Sequence, residues 1–320
     1  MSASVDGGAL TVASTDGHRA TYDVDVLAAA GRLDDGIPAR VPWRAGTDRP
    51  HVHSWKAVID DPAAELAALR DFLVDGAVVL DAVPATPGSI FDVAEQFGYV
   101  RETNFGRLFD VRSIPASTDL AYRAVPLSAH TDNPYRTPVP GIQLLHCLVN
   151  ETSGGLSTLV DGLAAVDQLR AEDPDAVDLL ATVAVRFRYR DSDADIVTVR
   201  PVIDTDHEGT VTGLSYSPRL DETPLMPEAE LRRYQAARQH LAGLLASGEF
   251  ETRFKLEAGQ LMMFDNNRVL HGRTAFDPNE GMRHLQGCYI DRDGPRTRWR
   301  VLARQLARQI DYGDSHRLLS

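Results

Sequence analysis

Cysteine is nearly absent: Cys147 and Cys288 are the only two in 320 residues, each inside an apolar, strand-like run. A disulfide framework and a four-cysteine zinc site are therefore excluded, and two reduced core thiols are expected. Long apolar runs are also missing, since nothing approaches the ~18–20 residues that a membrane-spanning helix needs. The N-terminal MSASVDGGALTVAS has neither a basic start nor a sustained apolar stretch, so it does not read as a secretory signal, and a cytosolic protein is expected. Positive charge is in deficit. With a net charge of −13 and no basic stripe interleaved with aromatics, the chain repels phosphate backbones, and no nucleic-acid partner is expected. One arginine-rich segment, RTRWRVLARQLARQI, places Val301, Leu302, Leu306 and Ile310 at helical spacing. It reads as a helix that packs on its own domain or on a second subunit. No internal repeat occurs.

What remains is an ordinary globular composition, long enough for one large core with a small appendage. ALTVASTDGHRATYDV reads as a hairpin about a Thr-Asp-Gly turn, and VDVLAAAGRL as a short helix ended by Gly31. The Pro- and Arg-rich stretch that follows has no periodicity and reads as a linker, with a domain boundary near residue 50. DDPAAELAALRDFLVDG predicts a helix capped by Asp60 or Asp61 with Pro62 in its first turn, and TPGSIFDVAEQFG predicts another. Beyond these, short apolar strands alternate with Gly/Pro/Asp/Asn loops, interrupted by helices over GLAAVDQLRAEDPDAVDLLATV and PEAELRRYQAARQHLAGLLASG. Many short strands of this kind predict a mainly β sandwich or jelly-roll barrel with flanking helices, not a doubly wound sheet.

The stretch SAHTDNPYR carries His130 and Asp132, two apart, so that on an extended strand both side chains face one side. A distal histidine, His271, stands in NNRVLHGR after the strand GQLMMFDN. Two histidines and one carboxylate form the facial triad of non-haem Fe(II) oxygenases, which leaves metal positions open for co-substrate and oxygen. Arg283 begins the strand RHLQGCYID, and a guanidinium there suits the far carboxylate of a dicarboxylate co-substrate. Singly, an H-x-D is a common polar loop and a lone arginine a common surface residue. Their order along the chain makes the set specific.

Together, LAYRAVPLSAHTDNPYRTPVPGIQLLHCLVN, GGLSTLVDG, GQLMMFDNNRVLHGRTAF and RHLQGCYID resemble the γ-butyrobetaine dioxygenase branch of the 2-oxoglutarate/Fe(II) oxygenases, within the taurine-dioxygenase-like superfamily. The resemblance runs from about residue 65 to about residue 310. It implies a double-stranded β-helix (jelly roll) over residues 51–320, iron held by His130, Asp132 and His271, and O2 as the oxidant. It also implies that 2-oxoglutarate is bound by Arg283 with Ser157 and Leu145 beside it. The N-terminal hairpin and helix, residues 1–50, resemble only part of the small β-rich N-terminal domain of eukaryotic carnitine enzymes. Its zinc-binding cysteines have no counterpart, so no structural zinc is expected, while a homodimer is compatible.

By the same resemblance, Phe105, Phe109, Tyr122 and Tyr289 match an aromatic cage for a trimethylammonium group, since ring faces attract quaternary cations. On a helical turn Phe105 and Phe109 would share a face. The sequence departs from the carnitine-forming pattern where a tyrosine is replaced by Asn133, a substrate-binding asparagine by Asp119, and amides by Ser215 and Ser217, with Arg219 nearby. An ionised Asp119 opposes a substrate carboxylate but accepts a hydrogen bond from a singly protonated phosphonate. The expected reaction is thus hydroxylation of an unactivated C–H bond of a small trimethylammonium zwitterion, (2-trimethylammonioethyl)phosphonate being favoured. Desaturation and rearrangement are alternative outcomes. A γ-butyrobetaine hydroxylase is the rival of the same class, and a non-catalytic jelly-roll binding protein the rival of another.

Overall fold

The computed structural model describes residues 1–31, 36–112 and 125–317, with the side chains of 28–31 and 308–317 left aside. It divides into two compact units, Met1–Ile37 and Pro38–Ser320. In the first, β1 (Ser2–Asp6), β2 (Ala9–Ala13) and β3 (Arg19–Asp23) form an antiparallel sheet followed by α1 (Val24–Gly31). The hairpin read from the sequence is β2–β3, and β1 adds an edge strand to it.

The second unit opens with β4 (His51–Ser54), α2 (Trp55–Asp60), α3 (Pro62–Asp75), β5 (Ala77–Asp81), α4 (Ile90–Phe97), β6 (Val100–Arg101) and β7 (Phe109–Arg112). Next come β8 (Leu127–His130), β9 (Ile142–Asn150), β10 (Ser157–Asp161), α5 (Gly162–Glu172) and α6 (Pro174–Thr182). The chain continues through β11 (Val185–Arg190), β12 (Asp195–Arg200), β13 (Ile203–Thr205), β14 (Val211–Leu214) and α7 (Glu228–Ala246). It ends with β15 (Glu251–Phe254), β16 (Leu261–Asp265), β17 (Val269–Arg273), β18 (Arg283–Ile290) and α8 (Asp293–Arg317).

Two sheets make the scaffold. The larger runs β4-β5-β16-β9-β18-β6, with β7 also on β18, and the smaller runs β15-β10-β17-β8. Apart from the parallel pair β4–β5, their pairings are antiparallel. Leu145, Cys147, Met262, Phe264 and Leu285 from the larger sheet meet Leu159 and Val269 from the smaller in one buried cluster. This is the double-stranded β-helix, with helices packed outside it. β9, β16 and β18 are buried along almost their whole length, and β16 and most of β9 accordingly read as apolar runs without strict alternation.

Local chemistry sets the helix limits. Asp61 caps α3 through the N–H of Ala63, Pro62 starts it, and left-handed Gly76 ends it. The long helix expected over residues 162–183 is instead α5 and α6, because Pro174 cannot continue the first and Asp173 caps the second. Residues 38–50, expected to be a linker, are built into the large unit: Trp43 is buried, its backbone N–H donating to Asp161 and its indole to the Asp75 carbonyl. The arginine-rich C-terminal segment is α8, and its first half packs on its own domain. There Arg298 forms a two-pronged ion pair with buried Glu65 of α3, 2.6 Å at each prong. Among the described residues, no helix is long and apolar enough to cross a membrane.

Candidate active site

His130 ends β8 and His271 sits opposite it on β17, in direct register. Their rings are 4.4 Å apart. Asp132 does not share a strand with His130 as its spacing suggested, because β8 stops at His130. The next two residues are positioned by other means. Thr131 exchanges backbone and hydroxyl hydrogen bonds with Tyr216 (2.8 and 2.9 Å), and Asn266 clamps Asp132 by accepting from its N–H (2.7 Å) and donating to its carbonyl (2.9 Å). The carboxylate then reaches both imidazoles, Oδ1 lying 3.2 Å from His130 Nε2 and Oδ2 3.8 Å from His271 Nε2. One ligand atom from each residue lies within 4.8 Å of the others.

The charge states suit a divalent cation. His130 Nδ1–H donates to the Ser128 carbonyl at 2.9 Å, which leaves the Nε2 lone pair facing inward. Burial, with His130 alongside, pushes the His271 imidazole down to about 3 and keeps it neutral. Burial works to raise the Asp132 carboxyl, but His271, His130 and the Tyr289 hydroxyl outweigh it and hold the group well below the usual carboxylate range. Tyr289 donates to Asp132 Oδ2 at 2.8 Å, so its own phenol is raised by burial and by that carboxylate. Two neutral imidazoles and one carboxylate, with a cavity on their open side, are a donor set that fits Fe(II).

The cavity measures about 540 Å³. Of the residues singled out in the sequence, His130, Asp132, Asn133, His271, Arg283, Ser157, Leu145, Phe105, Phe109 and Tyr289 all line it. Asp119 and Tyr122 lie outside the described residues. Ser215 does not line the cavity, and its hydroxyl accepts from Arg200 at 3.4 Å. The chain leaves β14 at Leu214, and the Tyr216–Thr131 hydrogen bonds bring Ser217 onto the wall instead, its buried hydroxyl without a partner among the described residues. Phe105 and Phe109 are not on a helical turn: Phe105 lies in the turn closed by Thr103 and Gly106, Phe109 opens β7, and their rings are 6.4 Å apart.

Arg283, at the start of β18, is buried, and burial lowers its guanidinium pKa without discharging it near neutrality. Arg273 of β17 also lines the cavity, and burial together with Arg283 pushes it down to about 10. Both guanidiniums lie against the Phe276 ring, at 4.8 Å and 5.6 Å from its centre. Gly155 makes room for Arg283, since its φ is +67° and a Cβ there would stand 3.1 Å from Arg283 Nε. Gly287 does the same for Phe109, whose ring atoms would lie 2.3 Å from an added Cβ. Sequence reasoning missed Arg273, although it stands inside the H-G-R triplet. It also missed Asn266, Tyr135 and Tyr189, which carry no spacing signal of their own.

Residues 21–289 match the family described as taurine catabolism dioxygenase TauD, TfdA family. A γ-butyrobetaine dioxygenase of Pseudomonas sp. (strain AK-1) is 40% identical over 313 residues, covering 93% of this chain and 80% of the relative. A mitochondrial trimethyllysine dioxygenase of Rattus norvegicus is 31% identical, covering 90% and 70%. Among solved structures, an asparagine oxygenase in complex with Fe(II), 3-hydroxyasparagine and succinate superposes with a TM-score of 0.56 at 19% identity, covering 73% of this chain and 82% of that one. The family match agrees with the paired sheets and the His-Asp-His cluster, and the chain belongs to the taurine catabolism dioxygenase TauD, TfdA family as a 2-oxoglutarate- and Fe(II)-dependent dioxygenase.

Proposed function

We propose that this enzyme hydroxylates an unactivated C–H bond of a small trimethylammonium zwitterion, with (2-trimethylammonioethyl)phosphonate as the favoured substrate. The observation that carries the reading is the shared cavity, in which the Phe105, Phe109 and Tyr289 rings open onto the His130, Asp132 and His271 cluster. Such rings hold a quaternary cation by their negative faces. Relatives named for γ-butyrobetaine and trimethyllysine, both trimethylammonium compounds, support the same class.

In this reading His130, Asp132 and His271 hold Fe(II), and Arg283 takes the far carboxylate of 2-oxoglutarate, flanked by Ser157 and Leu145. When bound, iron and 2-oxoglutarate supply, with O2, the oxidising power for attack on the C–H bond. The protein's part is positioning. The rings fix the cation, Tyr289 joins that wall to the metal cluster through Asp132, and the donors of Asn133, Ser217 and Arg219 face the anionic end. The preference for a phosphonate rests on the resemblance alone, which matches Asp119 to a substrate-binding position: an ionised carboxylate there would accept a hydrogen bond from a singly protonated phosphonate and repel a carboxylate.

γ-Butyrobetaine hydroxylation is the second reading, favoured by the 40% identical relative. Succinate formation by the Fe(II)-loaded protein with 2-oxoglutarate, measured in parallel with γ-butyrobetaine, trimethyllysine and the phosphonate, separates the two. His130→Ala serves as the blank. Turnover confined to the phosphonate is the expected result, and turnover confined to γ-butyrobetaine would make the enzyme carnitine-forming. The product of the accepted substrate distinguishes an alcohol from an alkene or a rearranged skeleton.

A further inference from the structure

The hairpin β11–β12 belongs to neither sheet of the sandwich, yet it reaches the cavity. Its first strand is anchored by Phe187, which is fully buried, and by backbone hydrogen bonds joining Arg188 to Leu220 and Glu222 to Arg186. Two residues beyond Phe187, Tyr189 projects to the cavity wall. Its ring stacks on Tyr135 at 5.1 Å and 26°, and meets Phe105 edge-on at 5.6 Å and 74°. Phe105 leads to Phe109 at 6.4 Å, and Phe109 to Tyr289 at 5.4 Å. The rings thus form an unbroken chain, from Tyr289 beside Asp132 to Tyr189 on the hairpin.

Tyr189 is also polarised. Its hydroxyl donates to Asp191 Oδ2 at 2.6 Å, and the other Asp191 oxygen is fixed by the N–H groups of Asp193 and Ala194 at 2.8 and 2.7 Å. A phenol that donates to an ionised carboxylate gains electron density in its ring, and its face attracts a cation more strongly. Asp191 lines the same cavity and adds negative charge at that edge. Arg188 and Arg190, which line the cavity too, turn to Asp195, at 2.6 and 3.8 Å, and so leave the Tyr189–Asp191 hydrogen bond intact.

We propose that Tyr189, oriented by Asp191, is a specificity-determining wall for the cationic end of the substrate, completing the box begun by Phe105, Phe109 and Tyr289. This rests on the reading that the substrate is a trimethylammonium zwitterion. Tyr189 acts by charge, not only by shape. An aliphatic side chain would fill the same space against Tyr135 and Phe105 but could not tell a quaternary ammonium from its neutral carbon counterpart.

The test compares two isosteric pairs: γ-butyrobetaine with 5,5-dimethylhexanoate, and (2-trimethylammonioethyl)phosphonate with (3,3-dimethylbutyl)phosphonate. Each is titrated calorimetrically into the anaerobic protein carrying Fe(II) and 2-oxoglutarate, so that binding is read without turnover. The native protein should prefer the charged member of at least one pair. Tyr189→Leu should reduce that preference about tenfold, Tyr189→Phe should keep most of it, and Asp191→Asn should fall between. Ring-fluorinated phenylalanines at position 189 keep the shape if the leucine variant does not fold. They should weaken binding of the cation step by step while leaving the neutral partner unchanged. A native preference that survives both the leucine and the fluorinated replacements overturns the proposal. No native preference for charge in either pair would instead sink the trimethylammonium reading on which it rests.

Discussion

Asp132 is held by its backbone as much as by its carboxylate, and Asn266 does the holding. One amide spans the Asp132 N–H, the Asp132 carbonyl and the Pro140 carbonyl, with no solvent exposure. Asn266→Ala should therefore leave the three candidate metal ligands in place but loosen their spacing. Metal affinity, read by Fe(II) or Co(II) titration, should fall about 10- to 100-fold, as for other outer partners of metal ligands. A second residue-scale effect is a pH limit set by His146, which has no solvent exposure on β9 and whose imidazole burial pushes down to about 4 from 6.5. The unfolded chain protonates this group near 6.5 and the folded one resists until about 4. The folded state is therefore at full stability above about pH 6.5 and loses up to about 3 kcal/mol as pH falls toward 4. Urea unfolding at pH 7.5 and 4.5 should show His146→Gln losing less stability over that interval than the native chain. The candidate cluster was legible because a histidine, a carboxylate and an ordered distal histidine and arginine carry their chemistry in their identities. Asn266 was not, since amides occur everywhere and only tertiary hydrogen bonding selects this one.

At the scale of elements, one ion pair fastens four segments. Arg268 and Asp161 are both fully buried and meet at 3.0 Å. Arg268 also donates to the carbonyls of Val74, at the end of α3, and of Val41, while Asp161 accepts from Trp43 and caps α5. Replacing Arg268 by Met removes one partner and leaves a buried carboxylate, which should cost about 3–5 kcal/mol in urea unfolding. Asp161→Asn with Arg268→Met should recover part of that loss. This junction explains why residues 38–50 read as a linker from sequence. A Pro- and Arg-rich stretch has no periodicity, and its burial is decided by a partner more than a hundred residues away. A helix with its own caps, α3, was legible to within a residue or two. The break at Pro174 needed more weight than the continuous apolar pattern around it. The aromatic pair Phe105 and Phe109, singled out by resemblance, lines the cavity but does not share a helical turn, because four-residue spacing fits a turn leading into a strand as well as a helix.

For the molecule as a whole, short antiparallel strands with flanking helices were foreseeable from the alternation of apolar runs and turn residues. The parallel β4–β5 pairing and the reach of the β11–β12 hairpin depend on contacts that no local pattern records. If His130, Asp132 and His271 hold the metal, binding is also a stability term for the fold. Fe(II) with 2-oxoglutarate at about a hundredfold excess over Kd should raise the anaerobic Tm by roughly 5 °C, an effect abolished by chelator or by His130→Ala. The two sheets contribute unequally to this cluster: both histidines belong to the smaller sheet, whereas Tyr289, which holds the Asp132 carboxylate, belongs to the larger one. That single 2.8 Å contact makes the site a caliper across the sandwich. A slip between the sheets too small to unpair any strand would already turn the carboxylate, so heat or denaturant should silence the enzyme before the β-sheet signal begins to fall.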